Sequence, residues 1–322
     1  VRLATHPLKH HYLKSCKNMT NPNINIRQCQ VLLDAELALF NAEYDQHFLA
    51  GESKPKHIGQ PYLLHQPYKN GAVNKAVLLV HGLMAAPEEV RQWADYLFAQ
   101  GYTVYAPRLA GHGTSAVDLS NRTMAEWVES VQRGHEILKN CSDEITIAGF
   151  STGAALTLHH AIQNPDAFNG LISISAPLKF KKFSAHFAKP VNYWNRLINV
   201  LRLPNPKKEY VTNHADNPHI NYLRCPVSSI VQIQKLMKGI RGKLATIEMP
   251  SLMIHANGDP KVDVQSSQDI YDLIGSEEKQ YHEIDFDLHG IIRGNISEQV
   301  FGHVGEFLDS FRSSDRLRKK TA

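Results

Sequence analysis

The sequence predicts an α/β fold: a mostly parallel central sheet with helices on both faces, a small inserted cap and an N-terminal extension. Three observations predict it. From residue 76 onward, short apolar runs alternate with amphipathic segments, the pattern of parallel strands joined by crossover helices. The pentapeptide GFSTG (149–153) stands between an apolar run and a helical pattern. The alternation breaks at 178 and resumes at 251, as an insertion between two strands would make it.

Each element has its own signal. AVLLV (76–80) reads as a buried strand ended by His81-Gly82. PEEVRQWADYLFAQ (87–100) reads as a helix, with Pro87 in its first turn and Gly101 as its stop. YTVYA (102–106) is a strand closed by Pro107, TMAEWVESVQRGHEILKN (123–140) a helix and EITIAGF (144–150) a strand. STGAALTLHHAIQN (151–164) is a helix stopped before Pro165. GLISISA (170–176) is a strand closed by Pro177. SLMIHA (251–256) restores the pattern, followed by a helix near 264–274, the strand KQYHEI (279–284) and a last helix at 297–312. Upstream, residues 27–50 set Val31, Leu32, Leu33, Ala35, Leu37, Leu39 and Phe40 on a broad stripe. That predicts an amphipathic helix docked on the core. PYLLHQPY (61–68) fits an edge strand.

The expected organisation is an N-terminal extension over 1–70, helical and packed on the core. The α/β core covers 71–177 and 247–314, a basic cap 178–246 and a tail 315–322. The cap is expected over the carboxyl edge of the sheet, where open α/β sheets bind ligands. It holds thirteen Lys/Arg and two acids between 178 and 245, a local charge of +11 in a chain of +4, which leaves −7 elsewhere. Such a surface attracts anionic membranes or steers anionic substrates, or is simply a solvated basic face.

Composition excludes several classes. At 43% hydrophobic and 20% charged residues, the chain is not a disordered one. No apolar run approaches the ~18–20 residues that span a bilayer. The polar start, VRLATHPLKHHYLKS, lacks the apolar core of a signal peptide. Cys16, Cys29, Cys141 and Cys225 form no C-x-x-C pair or zinc spacing and read as reduced thiols of a cytosolic protein. The adjacent pairs His10-His11 and His159-His160 point apart and read as solvated or core histidines. With no phosphate loop, dinucleotide fingerprint or metal motif, no cofactor, metal or nucleic-acid partner is expected. The expected location is cytoplasmic, with peripheral membrane contact through the cap; the oligomeric state is open.

The chemistry centres on GFSTG. A strand before it and a helix after it make the strand–turn–helix in which a G-x-S-x-G serine is exposed as a nucleophile. Gly149 and Gly153 leave room that a Cβ would fill. Ser151 then sits at a helix N-terminus, where free N–H groups favour negative charge; as a bare helix cap it would have no chemistry. A serine hydroxyl needs a base to take its proton. Asp259, in the loop after SLMIHA, is the candidate acid, ahead of Asp263, which begins the next helix. His289, in the loop after KQYHEI, is the candidate base; His282 lies in a strand and His303 in a helix. Asp287 either biases the pKa of His289 or competes as its partner. The oxyanion hole needs two N–H donors, expected from the backbone of Thr152, after the nucleophile, and of Leu83, after His81-Gly82. PRLAGHGTS (107–115) reads as a structural loop beside the site.

The segments AVLLVHGLMAAPEEVRQWADYLFAQGYTVYAPRLAGHGTS, IAGFSTGAALTLHHA and LMIHANGDPKVD, with the His289 loop, resemble the monoacylglycerol lipase and carboxylesterase branch of the α/β-hydrolase superfamily. The resemblance runs from about 75 to 313. It implies the α/β-hydrolase fold, a serine hydrolase with Ser151 as nucleophile, Asp259 as acid and His289 as base, and Leu83 as an oxyanion donor. It also implies a small cap at 178–246. The chain departs from the branch at Ala154, where a glycine is usual, and at Asp287-Leu288, where small residues are. The implied substrate is a small-molecule or lipid ester: a short or medium acyl ester or a monoacylglycerol. Two other readings keep the same residues: a triad acting on thioester, amide or carbon–carbon bonds, or a silent binding protein.

Overall fold

The computed structural model describes residues 24–68, 72–179 and 209–321, with side chains to 310. The core is a seven-stranded sheet. Its strands are β1 (Tyr62–Leu64), β2 (Lys75–Val80), β3 (Thr103–Ala106), β4 (Glu144–Phe150), β5 (Gly170–Ile174), β8 (Ser251–Ala256) and β9 (Lys279–Ile284). Their order is β1-β3-β2-β4-β5-β8-β9. All neighbours are parallel except β1, which pairs antiparallel with β3 at the edge. The central strands are buried along nearly their whole length, which is why they read as continuous apolar runs rather than alternating ones.

Helices cover both faces. On one lie α4 (Met124–Lys139), α5 (Thr152–Gln163) and α6 (Val227–Arg241), packed over Leu78, Val80, Ile147, Leu171 and Met253. On the other lie α2 (Arg91–Ala99) and the start of α8 (Ile296–Thr321), packed over Val77, Leu79, Ala148, Ile172 and Leu252. Trp127, Val131 and Leu138 on α4, four and then seven residues apart, turn one stripe inward. Its start is fixed by a capping box, in which Glu126 accepts from the Thr123 N–H and Thr123 from the Glu126 N–H. Gly134 lets this helix approach the sheet: a Cβ there would press on Leu78 and Tyr105.

Three sequence expectations change in detail. The helix expected at 87–100 begins as a 3-10 turn, Pro87–Val90, before α2. The last helix continues through Thr321 rather than ending at 312, across the stretch expected as a tail; residues 311–321 contain no Gly or Pro to stop it. α1 (Ile26–His47) docks on the core by only part of the expected stripe: Phe40 is buried and Leu32 and Leu33 pack against the core. Val31 and Leu39 face solvent at 54% and 39% exposure. The buried face is Cys29, Glu36, Phe40 and Tyr44. Glu36 on it binds Arg133 of α4 at 2.5 Å, and Glu43 binds both Arg108 and Arg122. The docking face is half ionic, so an apolar stripe alone misplaces it.

Between β5 and β8 the chain adds a two-stranded antiparallel ribbon, β6 (Tyr210–Thr212) and β7 (Arg224–Pro226), and then α6. Two short helices also went unread, a turn at Lys56–Gly59 and α3 (Ala116–Ser120). Much of the expected cap, 180–208, and the first 23 residues of the extension lie outside the described residues, as does Cys16. Cys29, Cys141 and Cys225 are buried free thiols. Among the described residues no helix is long and apolar enough to cross a membrane.

Several histidines are enclosed. His135 and His160 share a hydrogen bond of 3.1 Å between α4 and α5. Burial pushes both down to about 4, and pushes His81, enclosed below β2, to about 4 as well. Their folded pKa lies below the unfolded value of 6.5. The unfolded chain therefore binds the extra protons, and stability is lost as pH falls from about 6.5 toward 4, by roughly 1.4 kcal/mol per pH unit for each. Urea unfolding at pH 7 and pH 5.5 should show a loss of several kcal/mol on acidification. A smaller loss is expected in His135→Phe; equal stability at the two pH values contradicts this account.

Candidate active site

β4 ends at Phe150, and the next residue must turn sharply into α5. Ser151 makes that turn with φ 54 and ψ −120, a left-handed conformation that strains a non-glycine residue by about 1–3 kcal/mol. The turn closes because the glycines flanking it leave no Cβ. A Cβ on Gly149 would overlap the Gly153 backbone, and one on Gly153 would overlap the Val80 and His81 carbonyls. The Ser151 N–H donates to the Ile174 carbonyl at 2.8 Å, which ties the elbow to β5. Ser151 is left partly exposed at the floor of a cavity.

Asp259 stands in the loop after β8 and is fully buried. Its Oδ1 accepts from the Lys261 N–H at 2.7 Å and the Val262 N–H at 3.0 Å. Its Oδ2 accepts from His289 Nδ1 at 2.5 Å and from His255 Nε2 at 3.1 Å. Burial alone would push this carboxyl up. The hydrogen bonds from His255, His289 and Val262 and the attraction of the His289 ring reverse that and hold it well below the usual carboxylate range. It is therefore an anion at neutral pH. Asp263, the competing carboxylate, accepts from the Gln265 N–H at the start of α7 (Gln265–Leu273).

His289 is buried in the loop after β9, and its ring lies 4.9 Å from that of Phe150, the neighbour of Ser151. With Nδ1 given to Asp259, Nε2 is the nitrogen left for a proton from elsewhere. His289 and Ser151 line the same cavity. Among the described residues no hydrogen bond yet joins them, as is common in sites that tighten on substrate. Asp287 is exposed and is not the partner of His289. His282 and His303 stack on each other at 4.0 Å between β9 and α8.

The loop after β2 is held by two groups. His81 Nδ1 donates to the Gly82 carbonyl at 2.9 Å, while its Nε2 accepts from the Leu109 N–H at 3.3 Å. The buried Glu89 accepts from the Gly82 N–H at 2.7 Å. In a trans peptide the carbonyl and the following N–H point opposite ways. Pinning the Gly82 carbonyl onto His81 therefore turns the Leu83 N–H away from it, and Leu83 lines the cavity. Thr152, first residue of α5, lines it too. Burial pushes the Glu89 carboxyl up; the Gly82 N–H, His289 and Asn221 pull it part of the way back. The loop 107–115 is structural: His112 stacks edge-on against His81 at 5.1 Å, and Arg108 pairs with Glu43.

The cavity holds about 340 Å³, near the small end of the roughly 300–1,000 Å³ usual for ligand pockets. Its apolar lining includes Met84, Ile230, Ile233 and Val262. Its polar lining includes Glu89, Asn217, Asn221 and Lys261, with Asp216 accepting from the Gly290 N–H beside His289. Among the described residues no group of three His, Cys, Asp or Glu is placed to hold a metal ion.

Residues 71–295 match the serine aminopeptidase S33 family. The chain belongs to that family. A thermostable monoacylglycerol lipase of Bacillus sp. strain H-257 is 31% identical over 249 residues, 74% of this chain and 94% of that one. A carboxylesterase of Bacillus subtilis strain 168 is 25% identical over 245 residues, 76% of this chain and 96% of that one. A structure solved in work on LipS and LipT, two metagenome-derived lipolytic enzymes, superposes with a TM-score of 0.67 at 23% identity, over 82% of this chain and 99% of that one. The protein is thus an α/β-hydrolase of the esterase and lipase branch.

The hydrolase's site holds polar residues that were not read from the sequence: His255, Glu89 and Asp216. His255 carried a signal, a lone histidine in a strand buried on both faces, four residues before an acid. Glu89 carried none, because charged residues are ordinary in a first helical turn. The elbow makes a sharp prediction. Gly153→Ala should lower stability by about 2–4 kcal/mol and abolish turnover. Gly302→Ala, in α8 with nothing within 4 Å of the new Cβ, should leave turnover unchanged and raise stability by up to about 1 kcal/mol. Thermal melts of the two variants check both.

Proposed function

We propose that this hydrolase cleaves carboxylic esters through an acyl-enzyme formed on Ser151. The observation that carries the reading is the buried Asp259–His289 pair at 2.5 Å, opening on the cavity that holds Ser151. His289 Nε2 takes the serine proton as Oγ attacks the ester carbonyl. The charge that develops on the carbonyl oxygen is met by the Leu83 and Thr152 N–H groups. Asp259 keeps the ring in the tautomer with Nδ1 protonated and stabilises the imidazolium. His289 then protonates the leaving alcohol, and the same ring activates water to release the acid.

The small cavity of mixed lining supports an ester with a short or medium acyl chain and a hydroxyl-bearing alcohol. The chain would pack on Met84, Ile230, Ile233 and Val262, and the alcohol would meet the carboxylate and amide groups. A monoacylglycerol lipase and a carboxylesterase among the relatives support an ester substrate. Ser151→Ala should lower kcat on p-nitrophenyl butyrate by about 10⁴-fold or more and lose labelling by a fluorophosphonate. In a C2–C16 ester series, kcat/KM should peak at short or medium length. Equal labelling of both proteins, or preference for thioesters or aminoacyl anilides, goes against it.

The exposed Lys235, Lys238 and Lys243 on and after α6 favour contact of this face with anionic surfaces. Other basic groups nearby are engaged: Lys179 with Asp269, Arg224 with Glu52. Binding to phosphatidylserine vesicles should fall steeply between 50 and 300 mM salt, on the order of the Debye screening expected for surface charges. Salt-independent binding, or none, removes the membrane from the account.

A further inference from the structure

The catalytic carboxylate carries a second imidazole. His255, on β8, is 0% exposed. Its Nε2 lies 3.1 Å from Asp259 Oδ2, the same oxygen that His289 Nδ1 approaches to 2.5 Å. Its Nδ1 lies 2.7 Å from Ser267 Oγ, a hydroxyl of α7 that is also 0% exposed. A carboxylate oxygen only accepts, so Nε2 is the donor and holds the proton. In the neutral ring Nδ1 is then the acceptor, and the Ser267 hydroxyl donates to it. The row Ser267–His255–Asp259–His289 thus runs through the interior, with both nitrogens of His255 and both oxygens of Asp259 matched.

We propose that His255 is a positioning residue of this hydrolase, sharing Asp259 Oδ2 with His289 and so setting both the direction and the basicity of the catalytic imidazole. This inference rests on the triad reading above. Oδ2 has to serve two rings at once. Backbone N–H groups from Lys261 and Val262 fix Oδ1, but they do not fix rotation of the carboxylate about that anchor. The bond from His255 does, because its backbone lies in β8 and Ser267 of α7 holds its Nδ1. The same bond disperses charge from Oδ2. With it, the carboxylate attracts the His289 proton less strongly; without it, the imidazolium is held more tightly. A buried histidine with no such task would need only any two partners. Here one of the two partners is the single carboxylate on which the base depends.

The charged and titratable groups around this row are known and do not change in the test. Asp259 faces His255 and His289; His289 faces Asp259 and, across the cavity, Glu89. Lys261 pairs with Asp216, which holds the Gly290 N–H.

The experiment compares His255→Phe, which keeps ring volume and removes the donor, with His255→Gln, whose amide N–H replaces Nε2–H. Both are assayed on p-nitrophenyl butyrate across pH 5–9, beside wild type and Ser151→Ala, with fluorophosphonate labelling of each. His255→Phe should lose about 10–100-fold in kcat, as supporting partners of catalytic histidines do, with KM within about twofold. Its acid limb in kcat/KM should move up by about half a pH unit or more, the direction set by the less dispersed carboxylate charge. His255→Gln should recover most of the kcat and return the limb to its wild-type place. If His255→Phe does not fold, Ser267→Ala takes its place, with about threefold loss of kcat and the same direction of shift. Wild-type kcat and an unmoved limb in the variant that folds overturn the proposal. So does an equal loss in Phe and Gln variants with only a lowered melting temperature, the mark of a merely structural histidine. If the probe labels wild type and Ser151→Ala alike, it is the triad reading that fails instead.

Discussion

One buried negative charge governs this site. Removing a carboxylate from water costs several kcal/mol even after relaxation, and Asp259 is fully enclosed. The protein offsets that cost with four donors that arrive from different places: two backbone N–H groups of its own loop, one ring from β8 and one from the loop after β9. Each donor is in turn held. The loop closes because Asp259 caps it; His255 is fixed by Ser267 on α7; His289 rests against Phe150. Losing any one donor leaves part of a buried charge unmatched, which is worse than never having buried it. The order of this corner of the sheet is therefore an electrostatic requirement as much as a packing one, and the imidazole is aimed as a consequence.

Ser151 is held by sterics instead. At Ser151 the backbone adopts a conformation that a serine would not choose, kept by the tight approach of Gly149 and Gly153 and by the bond to Ile174. Strain at one residue buys a hydroxyl that stands clear of the sheet. A neighbouring peptide is held by hydrogen bonds: His81 and Glu89 grip the two sides of Gly82, and Leu83 beside it lines the cavity. Ser151, His289 and the Gly82–Leu83 peptide are thus positioned by three separate means, all meeting at the carboxyl ends of β2, β4, β8 and β9. Parallel strands make that meeting unavoidable, since every such strand delivers its following loop to the same edge.

What could be read beforehand follows from which of these means is local. The strands read well because burial on both faces leaves an unbroken apolar run, and the elbow because its two glycines stand within five residues. Asp259 and His289 are found by their place after strands. The rest depends on partners distant in sequence. The face of α1 escaped because Glu36 and Glu43 are buried by Arg133, Arg108 and Arg122, residues about a hundred or fewer positions away with no pattern tying them together. The ribbon β6–β7 is too short to show a period. His255 and Glu89 look like ordinary residues of a strand and a helical turn until the fold brings Asp259, Ser267 and Gly82 to them.

Part of the cavity's polar lining depends on chain that lies outside the family match. Asn217 and Asn221 sit in the loop that joins β6 to β7. That loop is tethered from the N-terminal side. Lys54 donates to the Pro218 carbonyl at 2.8 Å, and Glu52 binds Arg224 on β7 while also accepting from the Ala116 N–H of α3. Tyr44 of α1 in turn donates to the Lys54 carbonyl at 2.7 Å. On the inner side Tyr222 reaches down to donate to the Gly111 carbonyl and accept from the Thr114 N–H. The loop is thus stretched between α1, α3 and the 107–115 segment rather than lying free over the sheet. A polar surface can discriminate between alcohols only if its groups are held where the ligand will be. Here much of that holding is done by residues 44–54, so the N-terminal extension belongs to the substrate pocket in mechanical terms although it lines none of it.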